Sequence, residues 1–377
     1  MSARAGKATP RRAIVVGAGI MGLSTAWALA RQGSAVTVIE QDAIPNPRGS
    51  SVDQHRLIRH PYGASRGYTR MIADAERAWD LMWRDIGDAL FVRTGTLALT
   101  ASEGGWLADS IETMAAEKIA FRRLDAAALA GEFALIASDD VRLALRLDSG
   151  GILLAAPIIA RLARHLAARG VTLRANAKVA GIDPEAGQVT LAGGETLAAD
   201  MVVAAAGPWT NALLPGMAAR MQPSRQVVVY LVPPPDLAAA WQRMPMVLDI
   251  NPATGLYVVP PRGAAALKIG DHSSARAGDP DGERVARPEE IARVLAAARA
   301  RIRRLDEYRA AFAKVCFYDV SADERFIVAP AGRRCWAMTG FSGHGFKFGA
   351  ALGLRLAATI AGRHAPADTT RWATGEI

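Results

Sequence analysis

Residues 13–40 leave the chain few ways to fold. They read AIVVGAGIMG, then LSTAWALARQG, then SAVTVIE. A β-branched run (Ile14, Val15, Val16) breaks into Gly17, Gly19 and Gly22, an apolar-periodic segment follows to Gly33, and a second β-type run ends on Glu40. A strand, tight turn, helix and parallel strand satisfy this pattern together. Gly17 makes the turn, Gly19 lets backbone amides approach a pyrophosphate, and Gly22 lets the helix lie close to the sheet. The helix N-terminus then offers free N–H groups and partial positive charge to phosphates, and Glu40 accepts from a ribose hydroxyl. The stretch reads as an adenine dinucleotide site; the plainer alternative is a glycine-rich helix start in another α/β fold.

The 377 residues can bury one large core or two ordinary ones, and the composition shifts along the chain favour two. No apolar run is long enough to span a bilayer, and residues 1–12 form a short basic tail without a secretory pattern, which points to the cytoplasm. The two cysteines, Cys316 and Cys335, are too few for a disulfide framework. A net charge of +9 admits nucleic acid, a membrane surface or small anions as partners. The arginines are scattered and lack interleaved aromatics, so a basic enzyme explains the charge as well as a nucleic-acid binder does.

Further along, Arg56 and Arg59 stand three apart in DQHRLIRHPY, one helical turn apart or on opposite faces of an extended chain. Anion handling and surface ion pairing are both open for them. Residues 74–90 read as an amphipathic helix, 91–100 as a strand, and 102–116 as a helix capped by Ser102. Residues 200–206 form an apolar parallel strand that opens at Gly207-Pro208-Trp209, the end of a doubly wound sheet where ligands sit. From residue 226 the chain turns β-rich and proline-punctuated, as an antiparallel sheet with turns, in which 256–260 and 266–272 look paired. Residues 288–313 read as one long helix rich in arginine, either a polyanion patch or, more simply, a solvated face. No repeat or linker separates the parts, so the two domains interleave.

The last quarter carries the most specific pattern. Cys316, Tyr318, Ser321, Asp323, Glu324, Phe326 and Ile327 occupy C-x-Y-x-x-S-x-D-E-x-F-I, and residues 340–348 read GFSGHGFKF. Three glycines in six residues are a demand of geometry. Lys347 just after that loop is either a surface charge or, inside a cleft, a ligand for a substrate anion. A lone cysteine in a strand is by itself more simply a small buried hydrophobe.

On these two blocks and the glycine turn, the chain resembles the D-amino-acid-oxidase-type flavoprotein superfamily over nearly its full length. Within it, the likeness is to the monomeric sarcosine oxidase and N-methyl amino acid oxidase family. The resemblance implies an α/β fold, a Rossmann-like FAD-binding domain (1–90, 150–225 and 319–377) interleaved with an antiparallel-sheet substrate domain (91–149 and 226–318). It implies FAD carried as a thioether on Cys316. Arg56 then lies over the flavin, Arg59 and Lys347 hold the substrate carboxylate, and Lys268 activates oxygen beside the flavin. His272, Tyr257 and Tyr318 complete the active site. Cofactor contacts extend over Gly17, Gly19, Ile20, Met21, Gly22, Glu40, Gln41, Ser50, Arg56, Val179, Gly207, Trp209, Gly343, Gly345 and Lys347. The chain departs from the family at Ser51-Val52, where paired histidines are usual, and at Ala329, where an acid is.

The implied reaction oxidises a secondary amino acid, N-methylated or cyclic, to an imine, with hydrogen peroxide formed from O2. No metal is assigned, and a monomer is expected rather than an obligate oligomer. Two alternatives stand: a dehydrogenase or demethylase using another electron acceptor, and a nucleic-acid-associated flavoprotein.

Overall fold

The computed structural model describes residues 11–217, 219–251, 255–271 and 276–377. Its first layer is a six-stranded sheet in the order Ile327–Gly332, Cys335–Thr339, Met201–Ala204, Arg12–Val16, Ala35–Ile39, Thr172–Arg174. All neighbours are parallel except the first pair. Arg12–Val16 is buried on both faces after its first residue, as a central parallel strand must be. The helix Ile20–Arg31 is buried from Ile20 to Leu29 because Gly349–Ile360 packs against it. Gly353 permits that approach: an added Cβ would lie 2.6 Å from the Ser24 backbone.

The second layer is an eight-stranded sheet in the order Arg309–Ser321, Met221–Val232, Leu267–Asp271, Leu256–Val259, Met246–Asp249, Thr96–Thr100, Leu143–Leu147, Arg122–Leu124. It is antiparallel except between Met246–Asp249 and Thr96–Thr100. A small sheet of Arg56–Ile58, Gly151–Leu153 and Phe91–Arg93 and a meander of Val179–Asp183, Gln188–Leu191 and Thr196–Ala198 complete the strands. The expected α/β architecture with a second, antiparallel sheet is therefore present. Among the described residues no helix is long and apolar enough to cross a membrane.

Several local expectations need correction. The helix expected at 74–90 is Arg66–Ile86, ended by Gly87 in the left-handed region. The helix expected from Ser102 is Trp106–Ala116, and the Ser102 hydroxyl instead accepts from the Gly104 N–H at 3.3 Å. The single strand expected at 91–100 is two strands in different sheets, broken where Gly95 takes φ 71°.

The largest error lies at 288–313. Its helix stops at Arg299, and the chain has become the edge strand Arg309–Ser321 by residue 309. Arg301 is 0% exposed and tied to Asp249 and Asp140, each at 2.8 Å, so the core captures a side chain that a continuing helix would carry elsewhere. Neighbouring arginines are also paired, Arg299 with Asp306 at 2.6 Å and Arg304 with Asp236 at 2.7 Å. Arg299, Arg301 and Arg304 are thus held by acids rather than aligned as a row of free cations.

Candidate active site

The glycine turn is built as its sequence demands. Gly17 takes φ 105°, and a Cβ there would sit 2.4 Å from the Ala205 carbonyl oxygen. A Cβ on Gly22 would lie 1.9 Å from the Gly17 carbonyl oxygen, so the helix can start here only without a side chain. Gly19 caps the helix with no side-chain bond, while Ser51 Oγ accepts from the Ile20 N–H at 2.9 Å. Glu40 accepts from the Ala18 N–H at 2.8 Å and from Asn46 Nδ2 at 2.9 Å. Burial raises its pKa, and these donors pull the other way.

The cleft over this turn is lined by Gly17, Gly19, Ile20, Met21, Glu40, Gln41, Ser50, Arg56, Val179, Gly207, Trp209, Gly343 and Gly345, all expected cofactor contacts. Gly22 lies beneath the turn, and Lys347 lines the neighbouring cavity instead. A turn with no room for a Cβ at Gly17 or Gly22, a helix N-terminus that Gly19 leaves without a side-chain cap of its own, and a buried acid at the end of the second strand fit an adenine dinucleotide.

The large sheet assembles the other expected residues. Register places Lys268 opposite Tyr230 on one side and Val259 on the other, with Tyr257 opposite Gly270. Period-two alternation then puts Lys314, Cys316 and Tyr318 on one face of the edge strand. Residues 61 positions apart in sequence, Tyr257 and Tyr318, so come close enough to hydrogen-bond. Gly270 makes room for this, since a Cβ there would meet the Tyr257 hydroxyl at 2.6 Å.

At the centre of the site is a carboxylate that sequence reasoning missed. Asp53, 6% exposed, accepts from Lys268 Nζ at 2.7 Å, from the Arg56 guanidinium, and from the Tyr230 hydroxyl. Burial pushes its pKa up, but Lys268 and Arg56 outweigh that and hold it far below the carboxylate range. Cys316 is buried beside this cluster without lining either cavity. Burial raises its thiol pKa, and Arg56, Lys268 and Lys314 oppose that rise.

A cavity of about 740 Å³ adjoins the cleft, and Arg56, Tyr318, Gly343 and Phe346 line both. The cavity wall includes Arg59, Tyr257, Lys268 and Lys347. Arg56 belongs to the strand Arg56–Ile58, and the chain leaves that strand before Arg59, which lets both arginines face one cavity. The Arg59 guanidinium lies 4.3 Å from the Tyr62 ring centroid and 5.3 Å from that of Trp106. Lys347 Nζ donates to the Tyr62 hydroxyl at 2.9 Å and to the His344 carbonyl at 2.7 Å. Burial and Arg59 drive the Lys347 pKa well below the lysine range. Burial likewise lowers that of Arg59. Among the described residues neither cation has a carboxylate partner, unlike Lys268.

His272 lies outside the described residues. Sequence reasoning also gave no site role to Tyr62, Trp106, Asn46 and Tyr230, and met His344 and Ser51 only as part of the glycine block and as a departure from the family. His344 stood inside the glycine block and could have been singled out; an aromatic such as Tyr230 in an apolar strand carries no such signal.

A dinucleotide cleft that opens onto a cation-lined cavity defines a dinucleotide-dependent oxidoreductase. The FAD dependent oxidoreductase family matches residues 12–359, and the chain belongs to it. N-methyl-L-tryptophan oxidase of Salmonella enteritidis PT4 is 28% identical over 371 residues, covering 95% of this chain and 96% of that protein. Monomeric sarcosine oxidase of Bacillus sp. strain B-0618 is 28% identical over 357 residues, covering 90% and 89%. Among solved structures, Amadoriase I of Aspergillus fumigatus, a fructosyl amine:oxygen oxidoreductase, matches with TM-score 0.81 at 20% identity over 98% of this chain and 91% of that one. L-proline dehydrogenase from P. horikoshii matches with TM-score 0.82 at 20% identity over 97% of each. These two likenesses establish the fold.

Proposed function

We propose that the protein oxidises secondary amino acids, N-methylated or cyclic and bulkier than sarcosine, with O2 as the final electron acceptor. The observation that carries this reading is a pair of basic groups, Arg59 and Lys347, that have no carboxylate partner among the described residues and share the cavity that meets the dinucleotide cleft at Arg56 and Tyr318. Removing a cation from water without an anion is costly, and one substrate carboxylate relieves both. Arg59 offers a planar fork and Lys347 a point charge. Leu57, Trp106, Leu248, Ile250 and Val259 give the same cavity an apolar wall for the side chain. Its volume suits a ligand much larger than an N-methylglycine. The relatives named for N-methyl-L-tryptophan and sarcosine support the substrate class.

The cleft at Gly17, Gly19, Glu40 and Gly207 would hold FAD, which would supply a two-electron acceptor for the hydride lost from the C–H bond beside the amine nitrogen. The substrate leaves as an imine that water hydrolyses. Arg59 and Lys347 fix its carboxylate, while Arg56 and Tyr318 shape the junction between the cavities. Lys268 serves the oxygen half-reaction. Dioxygen first becomes an anion, and a cation about 4 Å away stabilises it by roughly 4 kcal/mol at an effective dielectric near 20. We assign Cys316 as the point of covalent attachment, because it shares a strand face with Tyr318 and adjoins the Arg56 and Lys268 charges. We also carry the two-domain division as a proposal. The two sheets support it, although the strands Met221–Val232 and Arg309–Ser321 run across its boundaries at 226 and 319.

A dehydrogenase that passes electrons to a carrier is the second reading, favoured by the engagement of Lys268 with Asp53. A screen of N-methyl and cyclic amino acids for peroxide release separates the two. Peroxide formed in step with substrate loss is expected; substrate oxidation only with an added dye would favour the dehydrogenase. Protein precipitated in acid and washed should stay yellow, with the colour on the peptide that contains Cys316. Colourless protein would remove the thioether.

A further inference from the structure

Unlike Arg59 and Lys347, Lys268 is ion-paired, with an acid that it shares with Arg56. Its Nζ donates to Asp53 Oδ2 at 2.7 Å and to the His55 carbonyl at 3.4 Å. The same carboxylate takes Arg56 on Oδ2 and the Tyr230 hydroxyl on Oδ1. Tyr230 and Lys268 are directly opposed on adjacent strands, and Phe312 stacks on the Tyr230 ring at 4.3 Å. The arrangement is therefore built into the sheet and held from both sides. Two cations this close in a dry site repel each other. Without an anion between them the lysine gives up its proton, because a guanidinium does not.

We propose that Asp53 is a positioning residue for the oxygen half-reaction, keeping Lys268 an ammonium beside Arg56 and fixing its Nζ at the cavity wall. The proposal rests on the oxidase reading above. O2 takes two electrons, which originate in the substrate C–H bond, and two protons, and leaves as hydrogen peroxide. The first electron makes an anion that the ammonium can offset. Burial lowers the Lys268 pKa most, Asp53 raises it, and Arg56 lowers it again.

The other titratable groups near the amine do not replace Asp53. His55 is neutral, with its pKa lowered to about 3 by burial and Lys268. Burial raises the pKa of Tyr230, Tyr257, Tyr318 and Cys316, which leaves them uncharged, and Lys314 is a further cation. Asp53 is thus the anion of this cluster among the described residues.

The test compares flavin-loaded wild type, Asp53→Asn, Lys268→Met and the double variant. The visible flavin absorbance is titrated from about pH 6 to about pH 10, a range that lies below the ordinary lysine value throughout. Asp53→Asn is expected to show a titration step that the double variant lacks. Reoxidation by O2 in Asp53→Asn is expected to fall about a thousandfold above that step, with the loss on reoxidation rather than on anaerobic reduction. A titration identical in the single and double variants, or undiminished reoxidation in Asp53→Asn, would overturn the proposal. If Lys268→Met reoxidises as fast as wild type, the oxygen reading fails, while the spectral step still decides whether Asp53 holds the ammonium. Should Asp53→Asn fail to fold, the double variant decides: removing Lys268 as well should restore a folded protein with a cooperative thermal transition, and a double variant that also fails to fold would overturn the proposal.

Discussion

Lys347 gives its amine to a phenol and a carbonyl, neither of which neutralises it, and Arg59 adds a second positive charge. The depressed Lys347 pKa fixes the sign of one pH effect. A carboxylate ligand prefers the ammonium, so binding raises that pKa and takes up a proton. Affinity should be highest below the depressed pKa and fall as pH rises through it. The dissociation constant of an unreactive carboxylate, followed by flavin absorbance, checks this; affinity independent of pH in the neutral-to-alkaline range would contradict it. At this scale Cys316, Tyr318 and Lys347 stand out because two motif blocks carry them and Arg56 and Arg59 because of their spacing, whereas Tyr257 and Lys268 enter only through the family resemblance. Asp53 does not stand out, since an acid in the polar run DQHR reads as solvated until Lys268 and Arg56 are seen around it.

Among the elements, the glycine turn was read correctly because its demands are steric and local. Gly22→Ala places a methyl carbon 1.9 Å from the Gly17 oxygen and must push the helix off the turn. The protein should fold with flavin affinity reduced by about tenfold or more, a loss of one strong charge-assisted contact or its equivalent. The flavin-to-protein ratio after gel filtration measures it, and full occupancy would contradict the role given to the turn. The run at 288–313 was misread for the opposite reason. Alanine and arginine favour helix locally, yet the burial of Arg301 against Asp249 and the pairing of Arg309–Ser321 along Met221–Val232 are long-range and decide the outcome.

For the whole molecule, the dependence of stability on pH follows from buried neutral histidines. His55, His60 and His344 are lowered from an ordinary 6.5 to about 3, 4 and 3, in each case first by burial. The unfolded chain therefore binds protons that the folded one refuses, and stability present above the ordinary value is lost as pH falls toward the depressed ones. Asp319, raised by burial to about 6, acts in the opposite sense between its ordinary 3.8 and that value. Burial likewise raises Glu40, Glu76 and Asp249, whereas Asp53 and Glu290 are held low by their cation partners and add to the loss on acidification, so the Tm should fall below about pH 6.5; a Tm that is flat or rises would contradict this. The two sheets draw their strands from alternating stretches of the chain. The convergence of Tyr257, Lys268, Cys316 and Tyr318 was not legible in the sequence, because strand register sets it and a single sequence does not display register.

The central claim is that one cavity grips an amino-acid carboxylate at Arg59 and Lys347 while Lys268 serves the electron acceptor. Rapid mixing of the FAD-loaded protein with a bulky N-methyl amino acid, first without oxygen and then with it, tests both halves. Wild type should bleach without oxygen and recover quickly in air with release of hydrogen peroxide, whereas Lys268→Met should bleach but recover about a thousandfold more slowly. No bleaching with any secondary amino acid, or equal recovery of the two proteins, would contradict the account.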